Sequence, residues 1–108
     1  MGTVFEVYFL EEVNAFFEQV SPKVKRKILY NLSKAKALND PELFKKLNDV
    51  IWEFRTLCEG QHYRLLAFWD KRATTLVVCT HGFVKKTGKV PQKEILKAER
   101  LRNEYLKK

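Results

Sequence analysis

Residues 77–91, VVCTHGFVKKTGKVP, decide how the C-terminal half of this chain folds. The apolar run that opens the stretch is typical of a buried strand, and it ends at His81-Gly82. A lysine-rich loop follows, and Pro91 suits the first position of a helix. Cations that a rigid element holds at the end of a sheet are well placed for a bound phosphate. The stretch therefore predicts either a phosphate-binding surface or the centre of a reaction on RNA.

The strand in this stretch is the last of three that the residue pattern predicts. The predicted strands are Ile51–Leu57, Tyr63–Asp70 and Thr74–Phe83. Glu59-Gly60 and Asp70-Lys71-Arg72 are plausible hairpin turns between them. The three strands should therefore form an antiparallel meander. Downstream, apolar residues at helical spacing predict a final helix from Pro91 to Lys108.

The N-terminal half reads as one strand followed by helices. The pattern predicts a strand from Thr3 to Phe9, a helix from Glu11 to Val20 and a second helix from Pro22 to about Leu38. Ser21 is the expected N-cap of the second helix, and the two helices should form a hairpin. Glu42 to Leu47 reads as a short helical turn. The order β-α-α-β-β-β-α predicts a single compact α+β domain over residues 1–108.

Charge is unevenly distributed along the 108 residues, which carry a formal net charge of +8. Residues 1–54 hold eight basic and eight acidic side chains, whereas residues 55–108 hold thirteen basic and five acidic ones. This asymmetry favours a polyanionic partner, either nucleic acid or an acidic protein, over a merely solvated basic surface. No stretch is long and apolar enough to span a bilayer, and the N-terminus lacks signal-peptide features. We therefore expect a cytoplasmic protein without membrane association, in which Cys58 and Cys79 are reduced thiols.

Two arginines lie inside otherwise apolar strands. Strand alternation places Arg55 on the same face as Glu53, and Arg64 on the same face as Leu66 and Phe68. A buried guanidinium costs desolvation free energy unless a partner offsets it. Either ion pairs, Arg55 with Glu53 or Arg64 with Glu59, or a functional role would explain these positions.

Three short motifs in order resemble the RelE/HigB family of type II toxins, and specifically its phage-derived HigB-like branch. The motifs are Trp52-Glu53-Phe54-Arg55, then Tyr63-Arg64-Leu65, then His81-Gly82-Phe83-Val84-Lys85-Lys86. The resemblance covers roughly residues 3–106. It implies a microbial RNase, RelE-like fold with an N-terminal strand and helical hairpin, an antiparallel sheet of about four strands and a C-terminal helix. It also implies ribosome-dependent cleavage of mRNA, growth arrest, and neutralisation by a HigA-type helix-turn-helix antitoxin.

Carried onto this sequence, the resemblance implies a metal-free endoribonuclease that uses the ribose 2′-OH against the adjacent phosphate. That chemistry needs a base, an acid and cations that stabilise the charged transition state. The implied catalytic set is Arg55, Arg64, His81, Lys85 and Lys86. Contacts to mRNA and ribosomal RNA are expected from Lys71, Arg72, Lys89 and Lys93. No cofactor or metal is expected. His81 has a structural alternative, a hydrogen bond at the end of its strand.

Three other interpretations compete with the RNase. Relatives with the same fold poison DNA gyrase, which would show as DNA breaks or lost supercoiling. A non-enzymatic nucleic-acid-binding domain would use the aromatic residues between the cations as stacking platforms. A zinc site is disfavoured because the spacing matches no common structural pattern. Its ligands would have to be Cys58, His62, Cys79 and His81.

Overall fold

The computed structural model describes residues 5–38, 40–72, 76–86 and 88–108. The helices of this part of the chain are α1 (Glu11–Gln19), α2 (Pro22–Leu38) and α3 (Gln92–Leu106). The strands are β1 (Glu6–Phe9), β2 (Phe44–Lys46), β3 (Trp52–Cys58), β4 (Gln61–Asp70) and β5 (Leu76–Lys85). The predicted starts of two strands, at Thr3 and Thr74, lie outside the described residues. The element order confirms the predicted α+β class.

The described strands form one mixed sheet in the order β1-β5-β4-β3-β2. The meander of β3, β4 and β5 is antiparallel as predicted. The expectation of an antiparallel sheet of about four strands is wrong in two respects. β1 pairs with β5 in parallel, with Val7 opposite Val77, and β2 adds a fifth strand. A parallel neighbour needs a long crossover between the strands, and the chain from α1 to β4 provides it.

β2 replaces the helical turn that the sequence predicted over Glu42 to Leu47. The turn ends earlier, where the Glu42 backbone N–H donates to Asp40 Oδ1 over 2.9 Å. Phe44 then pairs in register with Phe54, and the two rings stack with centroids 4.2 Å apart. Burying Phe44 against β3 stabilises the extended backbone, and this tertiary gain outweighs the local helical preference.

The helices cover the two faces of the sheet. Ser21 caps α2 as predicted, because the Val24 N–H donates to its Oγ over 3.2 Å. Both α1 and α2 lie on one face and bury their apolar stripes there. Helix α3 lies on the opposite face and buries Ala98 and Leu101. Since α3 is a single helix, part of that second face carries polar side chains instead, and the candidate site lies there.

Local backbone features fix the pairing of the meander. Glu59 and Gly60 both have positive φ, 52° and 79°, as a two-residue turn between right-twisted strands requires. The predicted turn at Glu59-Gly60 is therefore confirmed.

Between β4 and β5 the register shifts by one residue, from Leu66 opposite His81 to Ala67 opposite Cys79. This bulge breaks strict alternation and turns His81 toward α3, away from the face on which Cys79 is buried.

Gly82 lets α1 approach β5 closely. A Cβ added there would lie 2.7 Å from Leu65 Cδ2 and closer still to the Phe16 ring, so neighbouring side chains would have to move. We expect Gly82→Ala to lower the free energy of unfolding by about 1–3 kcal/mol through overpacking. Urea unfolding measures this loss. Gly88→Ala is the matched control, since nothing lies within 4 Å of its added Cβ. Equal stability of the two variants would contradict this packing of α1.

None of the described helices has the length and hydropathy that crossing a membrane requires.

Candidate functional site

Arg55 and Arg64 are direct cross-strand partners on the face of the sheet that α3 partly covers. Arg64 is only 2% exposed, whereas Arg55 is half-buried. Like charges directly opposite each other destabilise a sheet unless something offsets them. The sheet face that strand alternation predicted for each arginine is confirmed. The structure places the two arginines next to each other on adjacent strands.

Glu53, buried beside them, is the carboxylate partner of both arginines. Its Oε1 lies 2.9 Å from Arg64 Nε, and its Oε2 lies 3.8 Å from Arg55 Nε. The predicted contact between Arg55 and Glu53 is therefore present. The predicted pairing of Arg64 with Glu59 is wrong, because Glu59 contacts Lys23 over 3.1 Å instead. Glu53 is two residues before Arg55 on the same face, so β3 delivers the carboxylate directly to both guanidinium groups.

This ion pair leaves the Arg64 guanidinium incompletely satisfied. Although Arg64 Nε and Glu53 Oε1 are 2.9 Å apart, the N–H is poorly directed, and neither buried atom has a hydrogen-bond partner among the described residues. Arg64 Nη1 donates to the Tyr63 carbonyl over 3.1 Å. Burial lowers the pKa of Arg64 from its ordinary value, Glu53 opposes that shift, and Arg55 adds to it. An anion bound here would relieve the repulsion between the two guanidinium groups.

A pocket of about 360 Å³ opens above this pair, between the sheet, β2, the loop before α3 and the first turns of α3. Among the described residues that line it, Glu53 is the one carboxylate. The cations lining it are Lys45, Arg55, Arg64, Lys85 and Lys89. The Lys85 ammonium donates to the Gly88 carbonyl over 3.2 Å, which holds its stem along the pocket wall. The pocket is therefore strongly cationic and suited to a phosphate group.

A second pocket of about 290 Å³ adjoins the first, since Arg55 and Arg64 line both. It contains His62, which is exposed and lies opposite both Leu57 and Lys85 in the strand register. In the sequence alone, His62 stands out only as a possible zinc ligand. The sequence feature that identifies His62 as a site residue is its position two residues before Arg64, which places both side chains on one face of β4.

His81, in contrast, is buried and lines neither pocket. Burial lowers the pKa of its imidazole, although the Glu94 hydrogen bond opposes that shift. In the neutral ring Nε2 donates to Glu94 Oε1 over 2.9 Å, because a carboxylate can only accept, and Nδ1 faces Thr80 Oγ1 at 3.0 Å. The imidazole thus joins β5 to α3, which is a structural role, but His81 does not lie at the end of its strand, because β5 continues to Lys85.

Because the pKa of folded His81 lies below its unfolded value, acid should destabilise the protein through this residue. The unfolded chain takes up the proton first, so stability is highest above about pH 6.5 and falls as pH drops from there toward the folded pKa. One such proton changes the free energy of unfolding by at most about 1.4 kcal/mol per pH unit. Urea unfolding between pH 5 and 8 should show this slope. His81→Gln should flatten it, and an unchanged slope would contradict a buried neutral imidazole.

The remaining predicted residues are dispersed. Lys86 is exposed and does not line the cationic pocket, and Lys93 is exposed in the first turn of α3. The Arg72 guanidinium donates two hydrogen bonds to the Asp70 carboxylate, over 3.0 and 3.1 Å, and these lower the pKa of that carboxyl to about 2. Lys71 lies near the far end of β3 and β4, in a different pocket. The structure thus brings Arg55, Arg64, Lys85 and Lys89 together but leaves the others apart.

The two cysteines belong to the core. Cys58 and Cys79 are buried in the cluster under α1 and α2, and burial raises the pKa of the Cys79 thiol. His81 faces the opposite side of the sheet toward α3. In the part of the chain that the structure describes, no three His, Cys, Asp or Glu side chains are grouped as metal ligands would be.

Comparison with protein families gives a match over most of the chain. The family described as "Phage derived protein Gp49-like (DUF891)" matches residues 15–103. This span includes β2 to β5, almost all of α3 and every residue that lines the two adjoining pockets. No curated protein matches the chain.

Proposed function

Since the chain belongs to the Gp49-like family of phage-derived proteins, a family associated with toxins of toxin–antitoxin systems, we propose that it is an mRNA endoribonuclease of the RelE/HigB type. In this proposal the protein cleaves mRNA on the ribosome and so arrests translation and growth. A HigA-type helix-turn-helix antitoxin neutralises it. The gyrase-poisoning alternative has no comparable support in the geometry of the cationic pocket.

The observation that carries the proposal is the pairing of Arg55 with Arg64 beneath the cationic pocket. The described residues that line this pocket include five lysine or arginine side chains and one carboxylate. Placing two guanidinium groups side by side costs free energy in the unliganded protein. A phosphate offsets that cost, because a guanidinium presents paired donors that match two phosphate oxygens. The first turn of α3 adjoins the pocket through Gln92, and its backbone N–H groups also favour an anion.

The proposed reaction is an internal transfer at one phosphate of RNA. The ribose 2′-oxygen forms a bond to phosphorus and loses its proton to a base, while the bond from phosphorus to the 5′-oxygen breaks. That leaving oxygen takes a proton from an acid. The products are a 2′,3′-cyclic phosphate and a 5′-hydroxyl, so atoms and charge balance without a co-reactant. The phosphorane-like transition state gains negative charge, which preorganised cations stabilise.

The two adjoining pockets place further groups near such a phosphate. Arg55 and Arg64 line both pockets and would hold the phosphate oxygens. His62 lines one pocket and Lys85 the other. Because the two residues are also cross-strand neighbours, they are our candidates for proton transfer and charge stabilisation. Imidazole is the side chain that most often transfers protons near neutral pH. Because His81 is buried outside both pockets, we assign it no part in the chemistry.

The other cations fit the surface that a ribosomal partner would contact. Lys86 is exposed and directly follows Lys85, which lines the cationic pocket. Lys93 lies on the first turn of α3. We propose that both contact the phosphates of ribosomal RNA without taking part in cleavage. Binding through such contacts weakens steeply as salt concentration rises.

Inducing the protein in bacterial cells and mapping mRNA 5′ ends tests this function. We expect new 5′-hydroxyl ends inside translated messages within minutes of induction. Growth arrest without such ends would reject the RNase, and lost plasmid supercoiling under the same induction would favour the gyrase alternative. RNA binding without either effect would favour a non-enzymatic domain.

A further inference from the structure

A separate basic pocket of about 160 Å³ lies toward the other end of β3 and β4. Trp52 and Trp69, the chain's two tryptophans, both line it. Lys46, Lys71 and Arg102 line it as well. Since none of these residues lines the cationic pocket above Arg55 and Arg64, the tryptophan pocket is a distinct feature of the surface.

The two indole rings are held in fixed positions by aromatic neighbours. Their centroids are 6.2 Å apart and the ring planes meet at 81°. Phe44 stacks on Trp52 at 4.8 Å, and Phe5 contacts Trp69 edge-on at 5.2 Å. Both tryptophans are nevertheless partly exposed. An aromatic ring that is rigid and partly exposed is suited to binding a planar ligand at little entropic cost.

The cations of this pocket lack carboxylate partners. Asp49 is the one acidic side chain among the described residues that line it, and within the same part of the chain neither Lys46, Lys71 nor Arg102 forms an ion pair. The Arg102 guanidinium lies 5.9 Å from the centre of the Phe68 ring, which steadies it without neutralising it. The pocket is therefore both aromatic and electrostatically positive.

We propose that the tryptophan pocket binds one nucleobase of single-stranded RNA, with the neighbouring phosphate held by Lys71 and Arg102. Aromatic side chains beside cations bind single strands because every base has a stacking face and every phosphate a charge. The volume of about 160 Å³ is well below that of pockets for drug-sized ligands, so a single base is the appropriate size.

Edge strand β2 contributes one lysine to each of the two sites. Lys45 lines the cationic pocket, and its neighbour Lys46 lines the tryptophan pocket. Both lysines are exposed. Trp52 is three residues before Arg55 on β3, so the two side chains lie on opposite faces of the sheet. An RNA strand that occupies both sites has to cross edge strand β2 from one face to the other. The inference rests on the proposed function for its ligand, though not on cleavage.

Tryptophan fluorescence tests this binding site directly, because the chain has no tryptophan elsewhere. The probe is a uridine-rich hexanucleotide with 2′-O-methyl groups, which cannot be cleaved through a 2′-hydroxyl. We expect saturable quenching at low salt, and about tenfold weaker binding for Lys71→Gln/Arg102→Gln. Lys34→Gln/Lys36→Gln, which removes the same two charges from α2, should bind like the unaltered protein, because neither lysine lines any of the three pockets. Inorganic phosphate should not quench.

Each outcome decides one point. Absence of quenching, or quenching unchanged in Lys71→Gln/Arg102→Gln, would overturn the tryptophan pocket as a binding site. Equal quenching by inorganic phosphate would overturn the recognition of a base. Quenching lost in Arg55→Ala but kept in Lys71→Gln/Arg102→Gln would assign the binding to the cationic pocket and reject the inference. A protein that quenches as expected but cleaves no mRNA would contradict only the proposed function.

Discussion

Arg55→Ala should lower the rate of RNA cleavage about a hundredfold or more, because it removes a positioned cation from the phosphate in the transition state. The fold should survive this change. Arg55 is half-exposed, its 3.8 Å contact with Glu53 is too long for a hydrogen bond, and Glu53 keeps its contact with Arg64. We therefore expect the free energy of unfolding to change by less than about 1 kcal/mol. Cleavage rate and urea unfolding, measured on the same preparation, separate the two effects.

Arg100→Ala is the matched control for Arg55→Ala. Arg100 is an exposed arginine on α3 that pairs with Glu104 over 2.9 Å, and it lines neither adjoining pocket. Arg100→Ala removes the same charge as Arg55→Ala. A general loss of electrostatic attraction to RNA would therefore slow cleavage equally in both variants. Cleavage that falls to the same extent in both variants would reject Arg55 as a catalytic residue.

Arg64→Ala should be the most destabilising single change in the site. It leaves the buried carboxylate of Glu53 with only the distant Arg55 contact. Breaking a buried pair in this way costs about 3–5 kcal/mol, a large share of a domain's total stability. Urea unfolding measures the loss. Wild-type stability in Arg64→Ala would show that Glu53 has another partner or becomes neutral.

The double variant Glu53→Leu/Arg64→Met separates stability from function at this pair. Replacing both charges with apolar side chains of similar volume is often neutral or stabilising. We expect its stability to return close to that of the unaltered protein while cleavage stays low, since the phosphate has lost Arg64. Recovery of cleavage together with stability would mean that Arg64 has only a structural role.

Local patterns predicted most elements because each depends on neighbouring residues. The Ser21 cap, the Glu59-Gly60 turn and the alternation along β3 and β4 act over a few positions, and all three are present. β2 was missed because its extended form depends on Phe44 packing against Phe54, ten residues away. The parallel pairing of β1 with β5 joins segments some seventy residues apart, and no local pattern encodes it.

The site was predictable to the extent that it follows strand alternation. Arg55 and Arg64 were found because charged residues in apolar strands are conspicuous. The location of His81 could not be found this way, because the bulge beside Leu66 reverses its face. His62 was overlooked as a site residue because an exposed histidine at a strand end carries no signal until the adjoining pocket is seen.

The most direct test of the proposed function uses purified ribosomes programmed with one defined mRNA. We predict that the protein cuts this mRNA within the ribosomal A site, leaves a 5′-hydroxyl end, and leaves the same mRNA intact when ribosomes are omitted. Arg55→Ala should reduce that cut about a hundredfold or more. Programmed ribosomes whose mRNA stays whole, or cleavage that is equally fast in Arg55→Ala, would contradict the assignment of this pocket as a ribosome-dependent RNase site.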